Sequence, residues 1–201
     1  YIVLRDYGRR KGIDYKLLEG DKSINKYKLL SKFYYQVHKT YISDEKLDNL
    51  INKIGYVKNM MLDPKIVNTE IDRFDEVFYL YEDFKKKYKY IDFDDMLEEG
   101  LRILRDNYSI RKKYIDKYDY VQVDEGQDTS KLQMEIVKLL TKKKNNLFIV
   151  ADDDQSIYSF RGADPRGIFA LEDDYKDLKI YYMETNFRSS KNIVLAARSF
   201  I

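Results

Sequence analysis

Three polar segments, each directly behind a short apolar run, hold the side chains best suited to chemistry. The first is Asp124-Glu125-Gly126-Gln127-Asp128, which follows Tyr120-Val121-Gln122-Val123. Nucleotide-hydrolysing enzymes hold Mg²⁺ with an acid in this place. A neighbouring carboxylate can then take a proton from an attacking water. The same five residues fit equally a polar strand-to-helix loop, with Asp128 helping to cap the next helix. The second segment is Ala151-Asp152-Asp153-Asp154-Gln155-Ser156-Ile157-Tyr158-Ser159-Phe160-Arg161-Gly162-Ala163. Consecutive aspartates repel one another unless a cation or a basic group sits near. Tyr158, Phe160 and Arg161 bring two aromatic rings and a guanidinium close together, a platform on which unpaired bases stack at roughly 1–3 kcal/mol each. The plainer reading is a packed loop, its rings in the core and its arginine answering the aspartates. The third segment is Glu184-Thr185-Asn186-Phe187-Arg188-Ser189-Ser190. An arginine beside a hydroxyl-rich helix start suits a phosphate. A helix cap with a surface arginine would look the same.

These side chains need elements to hold them. Tyr120–Val123, Leu147–Val150 and Lys179–Met183 are β-branched and aromatic, and all three read as strands. Between the first two, Leu132, Ile136, Leu139 and Leu140 share one face of a helix, and Ser130-Lys131-Leu132-Gln133 fits a capping box at its start. Strand, helix, strand over this length is a parallel crossover unit. Open parallel sheets bind ligands beyond the carboxyl ends of their strands, so three polar clusters at three strand ends are expected to converge on one crevice. Before about residue 90 the apolar period is helical instead. Tyr27, Leu30, Phe33, Tyr34 and Val37 recur three and four apart, as do Leu47, Leu50, Ile51 and Ile54, then Ile71, Phe74, Val77, Phe78, Tyr81 and Phe84. Asp63-Pro64 breaks the series, because proline disfavours helix in the residue before it. The tyrosines and phenylalanines of these faces are expected to pack between helices.

Composition removes several kinds of chemistry. With 0 Cys and 1 His, disulfide scaffolds, thiol catalysis and His/Cys zinc sites are excluded, leaving hard cations held by carboxylates. His38, alone on a helical stretch, reads as structural or exposed. No run approaches the roughly 18 apolar residues of a membrane span. Charged residues make up 36%, but 37 Lys+Arg against 35 Asp+Glu leave a net charge of only +2, which argues for no particular partner. The runs Lys85-Lys86-Lys87, Arg111-Lys112-Lys113 and Lys142-Lys143-Lys144 could track phosphates, though lysine runs are more often solvated faces. No signal peptide is visible, which suits a reducing cytoplasm.

Taken in order, Asp-Glu-x-Gln-Asp-Thr, Asp-x-Asp-Gln-Ser-Ile-Tyr-x-Phe-Arg-Gly-Ala and Asn-Phe-Arg-Ser closely resemble motifs II, III and IV of the UvrD/Rep family, superfamily 1 ATP-dependent DNA helicases that translocate 3′ to 5′ on single strands. Ile91-Asp92-Phe93-Asp94-Asp95-Met96-Leu97 is similar to the Phe-Asp-Asp-Leu segment preceding motif II there. The resemblance is dense from about 91 to 201 and thin before. It implies an α/β fold: a RecA-like parallel sheet flanked by helices, preceded by an all-helical insertion subdomain. Residues 1–88 would be mainly that insertion, with the first ~20 residues in the RecA-like core. Residues 89–183 would carry half of the ATPase core with motifs II and III, and 184–201 the start of a second RecA-like domain with motif IV. Asp124 would match the Mg²⁺-binding acid, Glu125 the residue activating the attacking water, and Gln155 the sensor of the γ-phosphate. Tyr158 and Phe160 would contact single-stranded DNA, and Arg161 would link the DNA groove to the nucleotide cleft. Arg188 would be an arginine finger, with Phe187 near the adenine. Gly126, where the family usually has an aromatic or apolar residue, and Ala151, where it usually has glycine, depart from the pattern.

The implied cofactors are ATP and Mg²⁺. The implied partners are single-stranded DNA, duplex/single-strand junctions and other repair proteins, in the cytoplasm and with no membrane. A phosphate-cradling loop needs G-x-x-x-x-G-K-[ST]. Gly162 and Gly167 have the spacing, but Ile168-Phe169 follow. The family places that loop upstream of its insertion, so the chain is expected to be an internal segment of a helicase in DNA repair or replication restart, inactive alone. Two alternatives are the helicase portion of a RecB/AddA-type helicase–nuclease and a non-catalytic DNA-binding module. Intact Asp124, Glu125, Gln155 and Arg188 argue against the latter.

Overall fold

A computed structural model describes residues 1–199, Asp153 by its backbone alone. The last two residues of the 184–201 unit therefore lie outside the described residues. In chain order the elements are α1 (Ile2–Lys11), β1 (Lys16–Leu17), α2 (Lys26–His38), α3 (Asp44–Asn59), α4 (Phe74–Tyr88), β2 (Tyr90–Ile91), α5 (Phe93–Asp106), α6 (Tyr108–Lys117), β3 (Val121–Val123), α7 (Lys131–Thr141), β4 (Leu147–Ile149), α8 (Arg166–Phe169), α9 (Leu171–Asp174) and α10 (Lys191–Arg198). The helix starts have chemical causes. Asn25 and Ser43 accept the Lys28 and Lys46 N–H groups. Asp92 with Asp95, and Ser130 with Gln133, form reciprocal capping boxes, which satisfy amides a helix start otherwise leaves unpaired. No helix among the described residues is long and apolar enough to cross a membrane.

The helical periods read before residue 90 correspond to α2, α3 and α4, and the Asp63-Pro64 break lies between α3 and α4. Their apolar faces meet in one core of Leu30, Phe33, Leu50, Ile54, Phe74, Val77 and Tyr81. Leu4 of α1 belongs to a second core with Ile103, Leu104, Ile110 and Tyr114, onto which Ile136, Leu139 and Leu140 of α7 pack. Met134, Leu171 and Tyr175 form a third, beside Leu147 and Ile149 of β4. Not every aromatic is core: Tyr27, Tyr35 and Tyr41 are exposed.

The crossover unit forms as expected. β3 and β4 pair in parallel, with Val121 opposite Leu147 and Val123 opposite Ile149, joined through α7. β1, within the first ~20 residues expected outside the helical insertion, pairs in parallel with β2, Lys16 opposite Tyr90 and Leu17 opposite Ile91. Among the described residues the chain is mostly helical, with two small two-stranded parallel sheets. One expectation needs correction. The Lys179–Met183 run is not a strand. A strand exists only by its ladder, and no described residue pairs with this run, whose Ile180, Tyr181, Tyr182 and Met183 are all exposed.

Candidate functional site

β3 and β4 end side by side, and their polar sequels are held together by backbone bonds that prolong the pair. Val150 N–H donates to the Val123 carbonyl and Gly126 N–H to the Val150 carbonyl, both at 2.9 Å. Asp124 and Glu125 therefore stand beside Ala151 and Asp152. Both acids are exposed. Oδ1 of Asp124 accepts the Glu125 N–H (3.0 Å), while Oδ2 receives no protein hydrogen bond among the described residues. Glu125 adopts the left-handed conformation, φ 51, uncommon outside glycine and concentrated at functional sites.

The turn Gly126–Asp128 is a short 3-10 helix that drops Gln127 into the interior. The Gln127 amide reaches Glu125 on one side (2.7 Å) and the backbone of Asp152 on the other (3.1 Å). Gly126 is pressed against β4, where a Cβ would meet Ile149 Cγ2 at 2.6 Å and Ala151 Cβ at 3.3 Å. The two departures from the family pattern are thus adjacent. Asp128 does not cap α7, a role Ser130 takes.

Beyond Asp152 the chain turns so that Gln155 donates its side-chain amide to Asp152 Oδ2 and its backbone N–H to the Asp152 carbonyl. Tyr158 and Phe160 follow with ring centroids 6.2 Å apart. The Arg161 guanidinium lies 5.5 Å from the Phe160 centroid. Tyr158 is 42% and Phe160 51% exposed, so these rings are not core, and among the described residues Arg161 forms no ion pair with the aspartates. Gly162, at φ 92, closes the loop where a Cβ would be 2.8 Å from Asn59 Cβ, so the loop rests on α3. Asp164 N–H bonds the Thr129 carbonyl and Ala163 bridges Ser130, tying the loop back to the start of α7.

The third cluster stands apart. Phe187 is 94% exposed. Asn186 accepts the Arg188 and Ser189 amides, and among the described residues the side chains of 184–190 bond only within their own segment. The first two clusters are brought together; the third is not joined to them by any such bond.

One group of charges escaped sequence reasoning. Lys85 is no solvated member of its lysine run: it is 2% exposed and lies 3.0 Å from Asp92, 2.7 Å from Asp95 and 2.8 Å from Glu82. Lys58 of α3, equally buried, pairs with Asp95, Glu82 and Glu98. Tyr81 donates to Asp92 at 2.9 Å. Burial pushes the Asp92 carboxyl up, but Lys85, Lys58 and Lys26 outweigh it and hold the group well below the usual carboxylate range. Burial likewise opposes the Lys58 charge, and the attraction of Asp92, Asp95, Glu82 and Glu98 prevails, raising its pKa. Asp92 and Asp95 thus join the start of α5 to Lys58 of α3 and Lys85 of α4 in a buried junction, while Phe93 between them is exposed. Asp92 three residues before Asp95 carried a capping signal; nothing local marked the lysines.

An open groove between α6 and α7, lined by Tyr108, Arg111, Lys112, Lys138 and Lys142, is basic, but Asp174 already pairs with both Lys138 and Lys142.

Residues 2–176 match the UvrD/REP helicase N-terminal domain family. The chain belongs to that family. It is 40% identical over 153 residues to the ATP-dependent DNA helicase Rep of Buchnera aphidicola subsp. Acyrthosiphon pisum, covering 74% of this chain and 24% of that protein. To the ATP-dependent DNA helicase Rep of Escherichia coli K12 it is 38% identical over 167 residues, 80% of this chain and 25% of the relative. To the ATP-dependent DNA helicase PcrA of Staphylococcus epidermidis RP62A it is 36% identical over 156 residues, 75% and 21% respectively. The chain thus spans about a quarter of the length of these curated relatives. For a UvrD/REP N-terminal domain, the region matched includes both joined strand ends and the buried charge junction.

Proposed function

We propose that this chain is an internal segment of an ATP-dependent DNA helicase that moves 3′ to 5′ on single-stranded DNA, and that the ends of β3 and β4 form one wall of its ATP site. The observation that carries the reading is the joining of Asp124-Glu125 to the Asp152–Gln155 turn beside an exposed Tyr158–Phe160–Arg161 platform. The names of the Rep and PcrA relatives point the same way. In this reading residues 89–183 belong to a RecA-like core, the helices before 88 are mainly an insertion in it, and 184–201 opens a second RecA-like domain.

Asp124 suits Mg²⁺, which typically takes one or two carboxylates together with substrate phosphates and water. Among the described residues no three His, Cys, Asp or Glu cluster as a self-sufficient metal cage. Bound there, Mg²⁺ would neutralise charge developing on the phosphates. Glu125, next to it and exposed, takes the proton of the attacking water. Gln155, two bonded residues away, reports the terminal phosphate to the loop that carries the aromatic platform. Tyr158 and Phe160 stack unpaired bases, and Arg161 sits between the two regions. Phe187 faces the adenine and Arg188 supplies the finger when the second domain closes.

Unwinding of duplexes bearing a 3′ or a 5′ single-stranded tail tests this directly in the intact protein. ATP-dependent unwinding that requires the 3′ tail is expected. Unwinding from the 5′ tail, or without ATP, would contradict it.

A further inference from the structure

Gln127 has no part in the chemistry assigned above, yet it is the side chain on which the two strand ends meet. It is 1% exposed, and a buried primary amide persists only where both of its ends find partners. Here the ends have different partners. Nε2 donates to Glu125 Oε2 at 2.7 Å, and Oε1 accepts the Asp152 N–H at 3.1 Å. Asp152 Oδ2 in turn accepts from the Gln155 side chain. A continuous hydrogen-bonded path therefore runs from the Glu125 carboxylate to the Gln155 amide through one interior residue. Glu125 depends on such support: it is exposed, and Gln127 provides the one side-chain hydrogen bond its carboxylate makes among the described residues.

Resting on the reading that Glu125 and Gln155 serve ATP hydrolysis, we propose that Gln127 is a positioning residue, which fixes the Glu125 carboxylate and ties its placement to the turn bearing Gln155. The chemistry requires an amide. Methionine has the length but neither donates nor accepts well in this setting. Glutamate would still accept from Asp152 while facing Glu125 with a second negative charge.

The test is steady-state ATP turnover by the intact helicase on single-stranded DNA, for Gln127→Met, Gln127→Glu, Glu125→Gln and the double variant Glu125→Gln/Gln127→Met. All are assayed well below their separately measured melting temperatures. Groups that orient metal ligands from outside the coordination sphere typically cost 10–100-fold when lost, and a loss of the same order is expected for a residue that orients the Glu125 carboxylate. Both Gln127 variants are expected to lose about that much in kcat per ATP-binding-competent site, counted by nucleotide titration so that lost folded protein is corrected for, with KM for ATP close to the parent's. The double variant is expected to be no slower than Glu125→Gln alone, because Gln127 acts through Glu125. Gln127→Glu keeps shape and polarity, and so serves if Gln127→Met folds poorly. Parental kcat in either Gln127 variant, with Glu125→Gln inactive, would overturn this proposal alone, as would multiplied losses in the double variant. Parental turnover in Glu125→Gln would overturn the underlying reading as well.

Discussion

A methyl group on Gly126 would sit 2.6 Å from Ile149 Cγ2, closer than side-chain carbons approach, and Ile149 lies in the paired strand β4, which cannot easily move. Gly126→Ala is therefore expected to destabilise the chain by about 1–3 kcal/mol, the usual range for overpacking. Thermal melting checks this, and an unchanged Tm would contradict the close approach. Phe160 makes the opposite case. Being half exposed, it should cost little stability as alanine, whereas its proposed stacking role predicts a loss of roughly 1–3 kcal/mol in single-stranded DNA affinity. Melting and DNA titration of the intact Phe160→Ala protein separate the two: a collapsed Tm with unchanged DNA affinity would retire the stacking role. Asp124 and Glu125 were legible as candidates because they stand directly behind an apolar run, and Gln155 because its segment resembles motif III of the UvrD/Rep family. Gln127 stood in the same motif without declaring itself, since its second partner, Asp152, lies in the segment that follows a different strand, and burial of an amide leaves no periodic trace.

At the scale of elements, the start of α5 is where charge decides stability. Removing one member of a buried ion pair leaves its partners uncompensated, at about 3–5 kcal/mol. Lys85→Ala is expected to fall in that range by chemical denaturation, and a loss no greater than that of an exposed-lysine control such as Lys86→Ala would refute the junction's role. The pH dependence follows from the same groups. Asp92 has its folded pKa depressed, so its contribution is complete above about pH 4, the unfolded carboxylate value, and fades as pH falls below it. Lys58 has its folded pKa raised, so its contribution is complete below about pH 10.4 and fades as pH rises beyond. Stability should therefore hold across neutral pH and decline at both ends, and denaturation midpoints between pH 2 and 11 test this; a Lys58→Met/Asp92→Asn variant that declines just as steeply would show that other groups are responsible. Helices α2, α3 and α4 were readable from apolar period, and α7 from period together with its capping box, because both signals are local. The two-residue β1 was not, since its partner β2 lies more than seventy residues away. The Lys179–Met183 run misled for the same reason: its composition suits a strand, but composition cannot supply a ladder.

For the whole molecule, the described residues gather into a helical body around α2–α4 and a second body in which α1, α5, α6 and α7 pack on each other, with β3 and β4 alongside. The site lies where the paired strands end and the loop of 158–162 leans on α3. Ile180, Tyr181, Tyr182, Met183 and Phe187 form an unusually apolar exposed stretch, of the kind that marks an interaction surface. The sequence lacks a loop able to cradle the β- and γ-phosphates, so the 201-residue chain by itself is expected to hydrolyse no ATP above an Asp124→Ala control; measurable turnover would contradict that division of labour.

The central claim is that Glu125 activates water for ATP hydrolysis driven by single-stranded DNA, and DNA-stimulated ATP turnover by the intact helicase carrying Glu125→Gln tests it most directly. Loss of a general base typically costs 10²–10⁴-fold in rate, so turnover should fall by that factor while ATP binding persists. Turnover equal to the parent's would contradict the account.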